Sequence, residues 1–296
     1  MVIAVSSPPG IITLRPYTPA DTSAVLALIN LERIPGQPVT TTEMLSDALE
    51  GRSAVDAGWW ADLNSPSTWV AVSGPSRVVG VVSYAWRPKD RTGLLLWLHS
   101  GEEEAVTETL IDHVVTTFAP NPVEAFQFAC ALSLGLEALP IGHRPVTDAV
   151  LRRAGFAGER LWRYMRADLP AVNLPRLARV KESTSNGDKA AIKLESHRFW
   201  RTVTAEAEVG QPVQGIGVLW WIEVSEASRG RGLGRRMLGS ALARLTDLGA
   251  RQVILYVDDD APPGGPRDRT AANSLYESAG FTEVDRLYSY KLEATQ

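Results

Sequence analysis

The chain has 296 residues, of which 45 % are apolar and 22 % charged, and a formal net charge of −4. It can bury one large core or two ordinary ones, and its mildly acidic balance argues against a general nucleic-acid binder, which would ordinarily be basic. One cysteine, Cys130, excludes a disulfide framework. No apolar run is long enough for a membrane span, and no basic segment precedes an apolar one at the N-terminus, so the expectation is a cytoplasmic protein that binds neither membrane nor nucleic acid.

Residues 1–10 are rich in Ser, Pro and Gly and are expected to form a loose arm. Ile11–Pro16 reads as a strand. Thr18-Pro19-Ala20-Asp21 opens a helix carrying Val25, Leu26, Leu28 and Ile29, and a second helix is expected over Thr41–Glu50. Trp69–Val72 and Val78–Tyr84 flank the turn Ser73-Gly74-Pro75-Ser76 as a hairpin. Gly93–Leu98 is a buried strand, Val106–Phe118 a helix, Val123–Leu132 a strand, Asp148–Gly155 a short helix and Leu161–Met165 a strand. Leu169–Pro175, with two prolines, is expected to link two domains. Beyond it strands are expected at Ala178–Glu182, Ala190–Glu195 and Arg201–Ala207, with a turn at Ser185–Asp188. A helix over 235–248, a strand at Gln252–Val257, a loop over Asp258–Arg269, a helix reaching Ala279 and a strand at Leu287–Leu292 complete the chain.

The two halves repeat one another. Ala154-Gly155-Phe156, followed by Arg160-Leu161-Trp162 and Tyr164, matches Ala279-Gly280-Phe281, followed by Arg286-Leu287-Tyr288 and Tyr290. Leu96-Trp97-Leu98 lies at nearly the same offset from Trp220-Trp221-Ile222, about 125 residues, which points to a duplicated domain. The second half lacks counterparts to the strand and two helices that begin the first.

The most informative stretch is Trp220–Arg236. An apolar strand runs into a turn with three glycines and several arginines, and the turn runs into a helix marked by Met237, Leu238, Ala241, Leu242 and Leu245. Glycines allow positive φ and close backbone approach. Successive N–H groups at a helix start face an anion, and arginines add charge-assisted hydrogen bonds, each worth roughly 1.5–3 kcal/mol. The spacing is neither that of a Walker loop nor that of a dinucleotide fold. Arg229-x-x-Gly232-x-Gly234 resembles instead the pyrophosphate loop of the GNAT superfamily of N-acetyltransferases. Asn273-x-x-Tyr276-x-x-x-Gly280-Phe281 resembles a second motif of that family. The two side chains are three apart and share a helix face.

The resemblance implies an α/β fold with a mixed sheet and two GNAT-like domains in tandem. A degenerate domain would occupy 1–168, a linker 169–177, and an acetyl-CoA-binding domain 178–296, shortened at its N-terminal end. It implies acetyl transfer from acetyl-CoA, as co-substrate, to a primary amine of a small molecule, by direct attack in a ternary complex. The Val224 N–H would bind the acetyl carbonyl, Arg229, Gly230, Arg231, Gly232, Leu233, Gly234 and Arg235 would hold the pyrophosphate, Asn273 would contact the cofactor, and Tyr276 would protonate the departing thiolate. Glu223, Glu206 and Glu208 are candidates for the general base, with Glu223 ranked first.

The run Asp258-Asp259-Asp260 before Pro262 reads as a solvated loop or acidic lip, and no metal is expected. In the first half the loop position is held by His99-Ser100-Gly101-Glu102-Glu103-Glu104, and Leu151 and Asp148 stand in place of Tyr276 and Asn273. Three carboxylates would repel a pyrophosphate, so that half is expected to serve as scaffold, acceptor wall or homodimer surface. The arrangement is similar to the mycothiol synthase type, which would make the acceptor a cysteinyl amine, although the shortened second half and the 258–269 loop depart from it. A non-catalytic acyl-CoA-binding module is the alternative from another class.

Overall fold

The computed structural model describes residues 11–53, 55–184, 191–198, 202–258, 264–265 and 268–294. It divides into two compact units, one of residues 1–33, 40–159 and 288–296, the other of 34–39 and 160–287. Division by packing therefore differs from division by chain order: the proline-rich segment 169–177 lies within the second unit, and a short piece of the first half, Ile34–Val39, belongs to the second unit as well.

In the first unit, β1 (Ile12–Pro16) is followed by α1 (Thr22–Leu31), α2 (Thr42–Leu49) and a single turn, α3 (Ala57–Trp60). Then come β2 (Ser67–Ser73), β3 (Arg77–Arg87), β4 (Thr92–His99), α4 (Glu104–Phe118), β5 (Val123–Ala125), β6 (Leu139–Pro140) and α5 (Pro145–Arg153). Strands β1 to β4 pair antiparallel in sequence order, and β4 pairs parallel with β5 over Gly93–Leu95 and Val123–Ala125. Leu110, Ile111, Val114, Val150 and Leu151 of α4 and α5 bury against one face of this sheet. Val25, Ile29, Leu45 and Ala48 of α1 and α2 bury against the other. Cover on both faces explains the unbroken apolar run of β4. The strand expected over Val123–Leu132 stops at Ala125. Phe126 takes φ 56, and the chain leaves the sheet to bind beside α3, where Ala129 donates its N–H to Asp56 and accepts from the Trp60 indole.

Strand β7 (Ala157–Asp168) leads into β8 (Lys181–Thr184), β9 (Ala191–Arg198), β10 (Thr202–Gly210), β11 (Ile216–Val224), α6 (Leu233–Asp247), β12 (Gln252–Val257), α7 (Thr270–Ser278) and β13 (Thr282–Leu292). These strands are ordered β13-β7-β12-β11-β10-β9-β8, with residues 160–168 of β7 and 282–287 of β13 in the second unit. β7 with β12, β10 with β11, β9 with β10 and β8 with β9 pair antiparallel, and β11 pairs parallel with β12. Met237, Leu238, Ala241, Leu242 and Leu245 of α6, with Tyr276 of α7, bury against Ala205, Ala207, Leu219, Val253 and Leu255. Each such side chain contributes at most about 1.5–3 kcal/mol. The linker crosses α6 closely: a Cβ on Gly239 would stand 2.2 Å from the Pro175 carbonyl oxygen. The turn expected at 185–188 lies outside the described residues, as does most of the 258–269 loop. Among the described residues no helix is long and apolar enough to cross a membrane.

Candidate active site

The site begins where two parallel strands part. β11 pairs with β12 only over Ile216–Val218 and Gln252–Ile254. Along its other edge β11 stays paired with β10 as far as Val224, opposite Ala205, and Ser225 donates its N–H to the Thr204 carbonyl at 3.0 Å. Antiparallel residues alternate in the side to which their peptide groups point. Since Ser225 faces β10, the Val224 N–H is directed to the opposite side, beyond the point where β12 has separated. The Val224 side chain packs against the core under α6, whereas Glu223 is exposed on the opposite face.

After Val224 the chain makes one tight turn, in which Ser228 and Arg229 donate their N–H groups to the carbonyls of Ser225 and Glu226 at 2.8 and 3.2 Å. The Arg229 Nε reaches back to the Val224 carbonyl at 3.3 Å. Gly230 and Gly232 have φ 75 and 71, and among the described residues no atom beyond the chain neighbours lies within 4 Å of a Cβ placed on either. Glycine is required there for conformation and not for space. Gly232 caps α6 without any side-chain hydrogen bond. The Arg236 N–H donates to the Gly232 carbonyl at 3.2 Å, so Leu233, Gly234 and Arg235 carry the first-turn N–H groups that a helix leaves without an intrahelical acceptor. Arg229, Arg231 and Arg236 are exposed around them. Arg235 donates to the Ser278 hydroxyl at 2.8 Å and ties the start of α6 to α7. A Cβ on Gly234 would lie 3.6 Å from both Leu275 and Val224 side chains. Strand end, donor turn and α7 therefore converge at one point, and their chemistry suits an elongated polyanion joined to a polarisable carbonyl.

On α7, Tyr276 is 7 % exposed and packs edge-on to Phe281, with ring centroids 5.8 Å apart. Burial pushes its phenol up to about 12, with Arg269 opposing in part. Asn273, which the resemblance assigns to cofactor contact, makes hydrogen bonds within the chain. Its amide N–H groups are given to the carbonyls of Asp258 and Arg269, at 3.0 and 3.1 Å, and its oxygen accepts from Arg163 at 2.6 Å. It thus clamps the end of β12 to the first turn of α7. Arg163, on β7, also binds Glu277 and Glu283 at 3.0 and 2.6 Å. Sequence reasoning missed Arg163, and no local signal marks it: it lies 110 residues from Asn273.

The candidate bases form a row across the sheet face opposite α6. Glu206 stands opposite both Glu223 and Glu195, and Glu208 opposite Trp221 and Lys193. The Lys193 ammonium bridges Glu206 and Glu195 at 3.0 and 3.1 Å, and these carboxylates raise its pKa, with Glu206 the larger influence. Among the described residues no group of three or more His, Cys, Asp or Glu side chains is arranged to hold a metal.

The corresponding turn of the first unit is filled by the chain itself. Glu32 accepts N–H bonds from Ser100 and Glu102 at 3.0 and 3.2 Å, and meets His99 at 2.6 Å and Arg144 at 3.0 Å. Burial would raise the Glu32 carboxyl, but His99, Arg144 and the Ser100 N–H outweigh burial and hold it at about 2. The Glu102 carboxylate accepts from the N–H groups of Val146 and Thr147 at the start of α5, at 2.7 and 3.2 Å, and from the Arg144 guanidinium at 2.7 Å. The acidic run expected to repel an anion therefore does more: Glu102 occupies donors at the start of α5, while Glu32 occupies N–H groups of the turn that precedes α4.

Residues 202–281 match the Acetyltransferase (GNAT) family. A mycothiol acetyltransferase of Paenarthrobacter aurescens (strain TC1) is 28 % identical over 205 residues, 65 % of this chain and 58 % of that protein. One from Thermobispora bispora is 41 % identical over 91 residues, 30 % of this chain and 28 % of that protein. The chain thus spans less than two thirds of the length of these relatives. Among solved structures, a tandem GNAT protein from the clavulanic acid biosynthesis pathway aligns over 97 % of this chain and 99 % of its own, with TM-score 0.62 and 15 % identity. A GCN5-related N-acetyltransferase from Sphaerobacter thermophilus aligns over 96 % of each chain, with TM-score 0.62 and 14 % identity.

Proposed function

We propose, from the GNAT acetyltransferase domain that the chain carries at residues 202–281 within a tandem GNAT fold, that this protein is an acetyl-CoA-dependent N-acetyltransferase acting in the cytoplasm on a primary amine of a small molecule. The observation that supports the reading best is the parting of β11 and β12 beside an uncapped, arginine-flanked α6 start, with the Val224 N–H directed into the parting. The live site lies in 178–296. The first-turn N–H groups of α6, with Arg229, Arg231 and Arg235, hold the pyrophosphate. The Val224 N–H stabilises the acetyl oxygen as charge develops on it.

Tyr276, with its phenol at about 12, stays protonated at neutral pH and donates a hydrogen bond to the departing sulfur. A thiol near pKa 8.5 is the stronger acid, so the tyrosine stabilises the thiolate more than it hands over its proton. Glu223 takes the amine proton directly or through water, and Glu206, held by Lys193, is the second candidate. Asn273 and Arg163 position α7. Holding amine and thioester together supplies up to roughly 7–11 kcal/mol of the barrier reduction.

A second reading narrows the acceptor. The likeness to mycothiol acetyltransferases over 205 residues favours a cysteinyl amine.

Calorimetric titration with acetyl-CoA, followed by thiol release with a panel of amines, tests the reading. Micromolar binding at one site per chain is expected, and Tyr276→Phe should lower turnover about 100-fold with little change in acetyl-CoA affinity. Absence of binding sinks the reading. Two sites per chain would make the first unit live. Binding with equal, negligible turnover in both proteins would favour a non-catalytic acyl-CoA-binding module.

A further inference from the structure

The second half of the sequence lacks the strand and helices that precede the hairpin in the first half, so the acceptor side of its site needs a wall from elsewhere. Residues Ile34–Val39, which follow α1 in the chain, belong to the second unit. Their contacts are specific. Tyr164 of β7 donates its hydroxyl to the Pro35 carbonyl at 2.9 Å. The Gln37 amide donates to the hydroxyls of Tyr164 and Tyr256 at 3.1 and 3.2 Å, and Gln37 is only 4 % exposed. The two rings stack with centroids 5.3 Å apart. Val39 and Gln214 exchange two hydrogen bonds, at 2.9 and 2.8 Å. Gly36, at φ 83, lies so close that a Cβ there would stand 2.5 Å from the Tyr164 hydroxyl and 2.8 Å from Ile254.

The position of Tyr256 gives these contacts their meaning. It lies two residues past Ile254, the last residue of β12 paired with β11, and so borders the parting toward which the Val224 N–H is directed. Val253, Leu255 and Val257 face α6, so strand alternation sends Tyr256 to the opposite face, the one that carries Glu223 and Glu206. We infer that segment 34–39 is the acceptor-side wall of the acetyl-transfer site, with Gln37 as the positioning residue that fixes Tyr256 at the rim of the strand parting. The inference rests on the acetyl-CoA reading above and accounts for a segment of the degenerate half in the live site.

The test needs no knowledge of the acceptor. Gln37→Cys is treated with bromoacetyl-CoA, whose bromide a nearby thiolate displaces, and separately with bromoacetamide, which carries the same electrophile without the nucleotide. The native Cys130 is a poor competitor, because burial pushes its thiol up to about 11. Labelling at position 37 should be at least about tenfold faster with bromoacetyl-CoA, and excess CoA should suppress it. Equal rates with both reagents and no protection by CoA, in a protein that still binds acetyl-CoA, would overturn the wall and leave the acetyltransferase reading intact. Failure of the unsubstituted protein to bind acetyl-CoA would overturn both. If Gln37→Cys loses its fold by circular dichroism, Val39→Cys, which keeps the backbone bonds to Gln214, is read in the same two ways.

Discussion

The two turns that follow β4 and β11 start from the same backbone plan and end in opposite chemistry. Both strands hold a parallel neighbour for three residues only, Gly93–Leu95 with Val123–Ala125 and Ile216–Val218 with Gln252–Ile254. Both run into a turn and a long helix. In the first, Glu32 lies across the N–H groups of Ser100 and Glu102 and is locked there by Arg144 and His99. In the second, glycine caps the helix with no side chain, and arginines surround it. The first turn thus holds a carboxylate of the chain itself, whereas the second presents glycines and exposed arginines. A buried, paired carboxylate is a ligand that dilution cannot remove.

The comparison breaks most directly at Gly232. Aspartate tolerates a left-handed φ better than most residues and would place a carboxylate beside the α6 donors, making the second turn resemble the first. Gly232→Asp should lose about 100-fold or more in acetyl-CoA affinity by calorimetry, about 3 kcal/mol. Gly232→Asn, with similar shape and no charge, should lose far less. Similar losses in both would mean that backbone strain, and not charge, governs the site.

The next effect is on stability. Glu32→Gln keeps the shape but leaves Arg144 without one of its carboxylates, which should cost roughly 3–5 kcal/mol, seen as a lower unfolding midpoint. The sign of the pH dependence follows from the lowered carboxyl. Its folded-state value of about 2 lies below the ordinary 4.5, so the contribution is complete above about pH 4.5 and is lost as pH falls toward about 2. Urea midpoints measured between about pH 5 and pH 3 should fall more steeply in the unsubstituted protein than in Glu32→Gln. Parallel slopes would remove Glu32 from the acid sensitivity.

The smallest effect is expected at Arg231, exposed beside the α6 start. Arg231→Ala should weaken acetyl-CoA binding only a few-fold, about 0.5–1 kcal/mol, and the difference should shrink as salt rises. A loss as large as that of Gly232→Asp would show that this guanidinium, and not the backbone donors, carries the anion.

The local order of residues was enough to outline the strand, glycine turn and helix around Arg229–Arg236, because an apolar run, a left-handed turn and a 3.6-residue periodicity each leave a mark on neighbours in the chain. The same holds for Asn273 and Tyr276, whose spacing places them on one helix face, and for the burial of β4 on both sides. The early end of β5 was not legible: Val123–Leu132 is apolar throughout, and only the positive φ at Phe126 and its surroundings stop the strand. Nor were the partners that these segments find far along the chain. Glu32 meets Ser100 across 68 residues, Arg163 meets Asn273 across 110, and Gln37 meets Tyr256 across 219. A sequence pattern carries the preferences of a residue and its near neighbours. Which distant side chain comes to lie on a set of backbone donors is settled only when the sheets close, because that choice depends on strand register and burial over the whole unit.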